Sequence, residues 1–188
     1  MTQDEQFAES LHLAHQLLLE AQDASDLAEA NALCNRALGL RPRDADAWLL
    51  KAQVLLRLED GPAALAASEM ALGLRPRSPE GNALRAAALS QMERFPEALR
   101  AVHRAFRMCE QQGGHPALHE QLFYEKAAIL DGLDRTEEAL ETFEEGLARF
   151  PDSELLKAGI APLLRQMRRR GWRVLDGGLA RSGTPRRQ

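Results

Sequence analysis

Along residues 44–61, DADAWLLKAQVLLRLEDG, apolar residues recur at Trp48, Leu55 and Leu58 with small Ala52 between them. That spacing is close to the 3.6-residue period of a helix with one buried face. The stretch that follows, GPAALAASEMALGLRP, opens on a glycine and a proline. Pro62 suits a first helical turn, where its missing N–H costs nothing, and Pro96 stands the same way in FPEALRAVHRAF. Pro42, Pro76 and Pro151 each follow a second helix and force a turn. The pattern therefore predicts helix pairs, each closed by a proline.

The pairs repeat. ALGLRPR at 37–43 returns at 71–77, 34 positions on. A fixed period of that size marks a chain built from stacked units. Aligned on their prolines, the units run over 11–44, 45–78, 79–112 and 120–153, with a seven-residue insertion around QQGGHPALH before the last. The insertion is expected to lengthen a helix and add a loop. Small residues sit at matching places: Ala52, Ala86 and Ala127 in first helices (Leu18 being the exception), and Ala30, Ala64, Ala98 and Ala139 in second ones. Seven positions further on come Ala37, Ala71, Ala105 and Gly146, each followed by bulk at Leu38, Leu72, Phe106 and Leu147. Small side chains at crossings let helix backbones approach while large neighbours interdigitate. One helix pair cannot bury its apolar face alone, but stacked pairs share a core. Leu156, Ile160, Leu163 and Met167 share one face of a further segment, which reads as a capping helix over 153–170 that Pro162 kinks or restarts. Asp26 with Glu29 resembles a capping box. Asn82, where the second unit has Trp48, predicts looser packing of that unit.

The pattern of Trp48, Ala52, Leu55, Ala64, Ala71 and Pro76 resembles the tetratricopeptide repeat, a 34-residue helix–turn–helix, over about 11–153. The resemblance implies an all-α fold: a right-handed alpha–alpha superhelix of about four helix pairs plus the C-terminal cap, spanning 7–170. It also implies a non-enzymatic protein–protein interaction module with no cofactor. First helices would line a concave groove, carrying His12, His15, Leu19, Asp46, Leu49, Gln53, Leu56, Glu80, Ala83, Ala87, Gln91, Gln121, Tyr124 and Ala128. Apolar pockets there would take side chains of a partner peptide, and amides would bind its backbone. The groove lacks the family's ladder of lysine, asparagine and arginine for a terminal carboxylate, which disfavours a chaperone-tail adaptor. An adaptor or a secretion-type chaperone is the expected role. Where the family often has leucine, the repeats put Lys51, Arg85 and Lys126, either packed by their stems or offered as a basic ladder to an acidic partner.

Charge changes the picture at one end. The chain of 188 residues has a net charge of −4, yet residues 165–188 alone carry +7 and the remainder −11. Arg165, Arg168, Arg169, Arg170 and Arg173 lead this basic stretch, and 171–188 is expected to be a flexible tail. Opposite charges on body and tail allow self-assembly into a homo-oligomer. Contact of the tail with nucleic acid is a thinner alternative, because Trp172 is the only aromatic interleaved with the arginines, and contact with an anionic membrane surface is another alternative. No apolar leader or membrane-length run appears, so a cytoplasmic location is expected.

Catalytic chemistry is hard to find. There is neither a glycine-rich phosphate loop nor GxSxG. HEQLF at 119–123 begins like a zinc-protease helix but has Phe123 where the second histidine belongs. Cys109, His115 and His119, or His12 with His15, match no standard metal spacing, so no metal is expected. Two cysteines make no disulfide framework, and Cys34 reads as a small core residue.

Overall fold

The computed structural model describes residues 2–112, 115–169, 172–175 and 178–181, with side chains through Met167. Its helices come in antiparallel pairs: α1 (Gln3–Glu20) with α2 (Ala24–Leu40), α3 (Ala45–Arg57) with α4 (Gly61–Leu74), α5 (Pro79–Gln91) with α6 (Phe95–Gln111), and α7 (Pro116–Gly132) with α8 (Thr136–Arg149). The capping helix α9 (Glu154–Arg169) is one continuous helix with Pro162 inside it, so it does not restart there. Leu156, Leu163 and Met167 of α9 are buried against α7 and α8.

Two turn types alternate, each set by local chemistry. Within pairs, Glu59, Glu93 and Asp134 adopt positive φ of 59°, 57° and 57°. Each next amide then reaches back five residues: Asp60 N–H to Leu55 O, Arg94 to Leu89 and Arg135 to Leu130. These are C-caps of the Schellman kind, made without glycine. Between pairs, Arg41, Arg75 and Phe150 end the second helices, and Asp44, Ser78 and Ser153 follow three residues later. Asp44 and Ser78 accept an N–H of the helix that follows, and Ser153 accepts from Leu156. The repeated letters of the sequence are thus repeated hydrogen bonds.

Four corrections to the sequence reading emerge. The N-cap of α2 is Asp23, which accepts from Ser25 and Asp26; Asp26 lies inside the helix and accepts from Gln22 N–H. The reciprocal capping box is at α1 instead, between Thr2 and Glu5, so that helix starts well before residue 11. Asn82 does not loosen its unit. It is 3% exposed, and its Nδ2 donates to Ser78 O at 2.9 Å and lies 3.4 Å from Met108 Sδ. Finally, part of the stretch expected to be loose is ordered. Trp172–Leu175 and Gly178–Arg181 pair as an antiparallel hairpin, while 171, 176–177 and 182–188 lie outside the described residues. The insertion lengthens helices on both sides: α6 and α7 have 17 residues each, against 14 in α4 and 13 in α5.

The core runs continuously from pair to pair. Leu50 and Val54 of α3 pack with Leu18 and Leu27 of the first pair, Leu84 and Ala88 of α5 with Ala64 and Ala67, and Leu122 and Ile129 of α7 with Val102 and Cys109. Successive first helices also touch one another (α1 with α3, α3 with α5, α5 with α7), whereas successive second helices do not. Elements in contact on one side and apart on the other make a stack that bends, concave toward the first helices.

Gly39 and Gly73 have nothing within 4 Å of where a Cβ would sit, and neither has a positive φ. No contact requires glycine there. Gly73→Ala is therefore expected to raise stability by about 0.5 kcal/mol through helix propensity, the low end because it lies in the last turn. A urea titration reads this directly.

Candidate functional site

A groove of about 620 Å³ lies on the concave side, lined only by α1, α3, α5 and α7. This is within the range of roughly 300–1,000 Å³ common to ligand pockets. Of the residues expected there, Leu19, Gln53, Leu56, Glu80, Ala83, Ala87, Gln91 and Gln121 do line it. Leu19 is 71% exposed, an apolar side chain left open to solvent at the groove's edge. Ala83 and Ala87 keep the middle open because they carry no bulk.

The others lie elsewhere. His12 and His15 are exposed on α1 and do not line the groove. Asp46 is held by an ion pair with Arg75 at the inter-pair turn. Leu49 is half-buried, packed with Trp48 and Leu56 beside the α3–α5 core. Tyr124 and Ala128 line a separate hollow of about 370 Å³ against α8 and α9, where Tyr124 meets Phe143 edge to face at 6.1 Å. Arg165 is exposed on α9, and the side chains of Arg168, Arg169, Arg170 and Arg173 lie outside the described part.

The groove's polar groups divide into engaged and free. Gln91 Nε2 donates to Leu56 O at 2.8 Å, so its amide ties α5 to the end of α3. Arg57, which the sequence reading missed, donates to Leu18 O and to Ala21 O at 3.3 Å, capping α1. Glu80 accepts from Ser78 Oγ at 2.9 Å. By contrast, Gln53, Gln121 and Glu125 have no hydrogen-bond or ion-pair partner among the described residues. Glu125 was also missed. It is partly buried on α7, and burial alone pushes its carboxyl above the ordinary range. Nothing in a sequence marks one glutamate of a helix as the one that turns inward.

The basic ladder does not form. Lys51 lies over the Trp48 ring at 5.2 Å, and Arg85 approaches Glu69 at 3.5 Å; Lys126 stays unpaired. Trp48 itself is half-buried, its Nε1 donating to Pro42 O at 2.9 Å. Cys34 and Cys109 are both buried. Burial raises both thiols, Cys34 to about 11, so neither presents a ready nucleophile. Among the described residues no three of histidine, cysteine, aspartate and glutamate gather as metal ligands.

Residues 7–79 match the model of a tetratricopeptide-repeat family. The chain also resembles solved helical-repeat structures. PilF of Pseudomonas aeruginosa is 20% identical at a TM-score of 0.71, covering 89% of this chain and 71% of that one. A MamA protein is 14% identical at a TM-score of 0.65, covering 86% and 82%. YrrB, a tetratricopeptide-repeat protein with an unusual peptide-binding site, is 23% identical at 0.58, covering 70% and 64%. At these identities the likeness shows the fold, the same right-handed helical solenoid. No curated protein matches the sequence.

Proposed function

We infer a protein-binding role carried by the concave groove, which takes a partner segment that is both apolar and basic; the match of residues 7–79 to a tetratricopeptide-repeat family supports a binding role as such. The fold supports a protein–protein interaction module as such. The finer reading is an adaptor or secretion-type chaperone that holds the segment against Leu19, Leu56 and the two alanines while a lysine or arginine meets Glu125.

Glu125 carries this reading. A carboxylate drawn out of water without a partner costs the folded state free energy, and a cation supplied by a ligand offsets that cost. The sign follows from the raised folded-state pKa. Stability tied to Glu125 is fully present at low pH, and it declines as pH rises through that raised value. At neutral pH the charge is therefore a burden that glutamine would lift.

The test uses two fluorescein-labelled twelve-residue peptides, one alternating leucine with lysine and one alternating leucine with glutamate, read by anisotropy. The parent is expected to bind the basic peptide and not the acidic one in this groove. Glu125→Gln should weaken the basic peptide about tenfold, a loss of about 1.4 kcal/mol, while raising the urea midpoint at pH 7. Leu19→Asp, at an exposed position, should lower affinity with unchanged circular dichroism. Basic-peptide affinity indifferent to both substitutions would remove the groove from the function.

A further inference from the structure

The convex side holds a second concavity. The backbones of α6 and α8 stand apart, and the gap between them, floored by α7, has a volume of about 700 Å³. Arg100, His103, Arg104 and Arg107 of α6 line it, joined by Lys126 of α7 and Arg149 of α8. The α6 residues stand at i, i+3, i+4 and i+7, one stripe of a single helix face. Phe106 and Phe123 supply an apolar floor, edge to face at 5.1 Å.

No other second helix carries this α6 set: two repeats earlier, α2 has Ala32, Asn35, Arg36 and Gly39 at the matching positions. One repeat earlier, α4 has Ala66, Glu69, Met70 and Gly73 at the matching positions. One repeat later, allowing for the insertion, α8 has Glu141, Glu144, Glu145 and Ala148. Several arginines elsewhere are paired, Arg41 with Asp4, Arg75 with Asp46, Arg94 with Glu97 and Arg135 with Glu138. Here Arg104, Arg107, Lys126 and Arg149 have no ion pair, and Arg100 reaches Glu97 only at 4.0 Å. His103 is held below the ordinary histidine range, first by burial and then by Lys126, Arg107 and Arg135. On a body whose residues 1–164 sum to −11, this local excess of cations is complementary to an acidic partner.

We propose that the crevice between α6 and α8 docks an acidic segment of a partner protein, which seats an aromatic or aliphatic side chain on Phe106 and Phe123 and sets carboxylates against the α6 arginines. The apolar floor calls for a side chain with no charge at the centre of the segment. Glu110 and Glu145 also line the crevice. They repel the continuous charge of a nucleic-acid backbone, whereas the spaced carboxylates of a peptide can avoid them. This site is independent of the concave groove and opposite to it in charge, so one molecule could hold two unlike partners at once.

The experiment uses the full chain and a labelled acidic ten-residue peptide with a central Phe-Leu pair, followed by anisotropy at low salt. Arg104→Glu/Arg107→Glu is expected to lower affinity at least tenfold, with a helical circular dichroism spectrum and a melting temperature no lower than the parent's, since like charges are relieved. Replacing the Phe-Leu pair by Gly-Ser should also weaken binding about tenfold. Affinity unchanged by the double substitution would overturn the proposal and leave the arginine-rich C-terminal stretch as the binder. Equal affinity for a single-stranded oligonucleotide of the same charge would overturn it in favour of general polyanion binding. Sedimentation velocity covers the remaining occupant: a parent dimer abolished by the same double substitution would mean that a second copy, not another protein, fills the crevice.

Discussion

Phe143→Ala is expected to destabilise the protein by about 3–5 kcal/mol, the range for deleting a large aromatic from a packed core. Phe143 is 2% exposed on α8 and stands between α7 and α9. On one side its ring meets Tyr124 edge to face at 6.1 Å. On the other lies Gly159 of α9, where an added Cβ would come within 2.7 Å of the ring. The cap therefore docks by laying a glycine against this aromatic. Removing the ring opens a cavity at the joint between the last pair and its cover, and neither wall can close it without moving a whole helix. Because repeats are stabilised by their neighbours, the loss should appear first at that end. Amide hydrogen exchange should lose protection in α9 before α1 to α4, and the urea midpoint should fall. A variant that unfolds at the parent's midpoint with α9 still protected would mean that α9 does not depend on this joint.

Ala71→Leu should cost about 1–3 kcal/mol by the opposite fault, too much volume where helices meet. Ala71 is 1% exposed, and its counterparts one repeat away, Ala37 and Ala105, are 0% exposed. The neighbouring Leu72 shows how little room exists: an added Cβ on Gly81 of α5 would lie 2.9 Å from Leu72 Cδ2. Extra methyl groups on Ala71 must push α4 from its neighbours. The expected result is a lower urea midpoint at an unchanged slope, with helical content preserved. No shift in midpoint would place the crossing at some other residue.

The Ala71 prediction was accessible from the letters alone, and the reason is local, whereas the contact of Phe143 with Gly159 came only from the structure. A helix period, a proline at a first turn and a small residue every repeat act through neighbours within one or two turns, so the chain spells them directly. Asp44 and Ser78 cap the helices that follow them whatever lies across the stack. The concave groove was legible to the same depth, because the repeat register puts Gln53, Ala87 and Gln121 on the inner side. It failed where a side chain's fate depends on a distant partner. Asp46 is claimed by Arg75, Tyr124 is drawn toward Phe143, and Gln91 is spent on Leu56 O.

The sequence by itself determined that this protein is a stack of helix pairs, where the prolines close them, and which small residues stand at their crossings. Only the tertiary structure decided which charges remain unpaired. Glu125 has no partner in the groove, and four cations from three helices line one crevice, with Arg107 and Arg149 brought together across 42 residues of chain. Periodicity records the backbone's near neighbours. Electrostatic pairing records distance in space, which the bend of the stack and the seven-residue insertion set together.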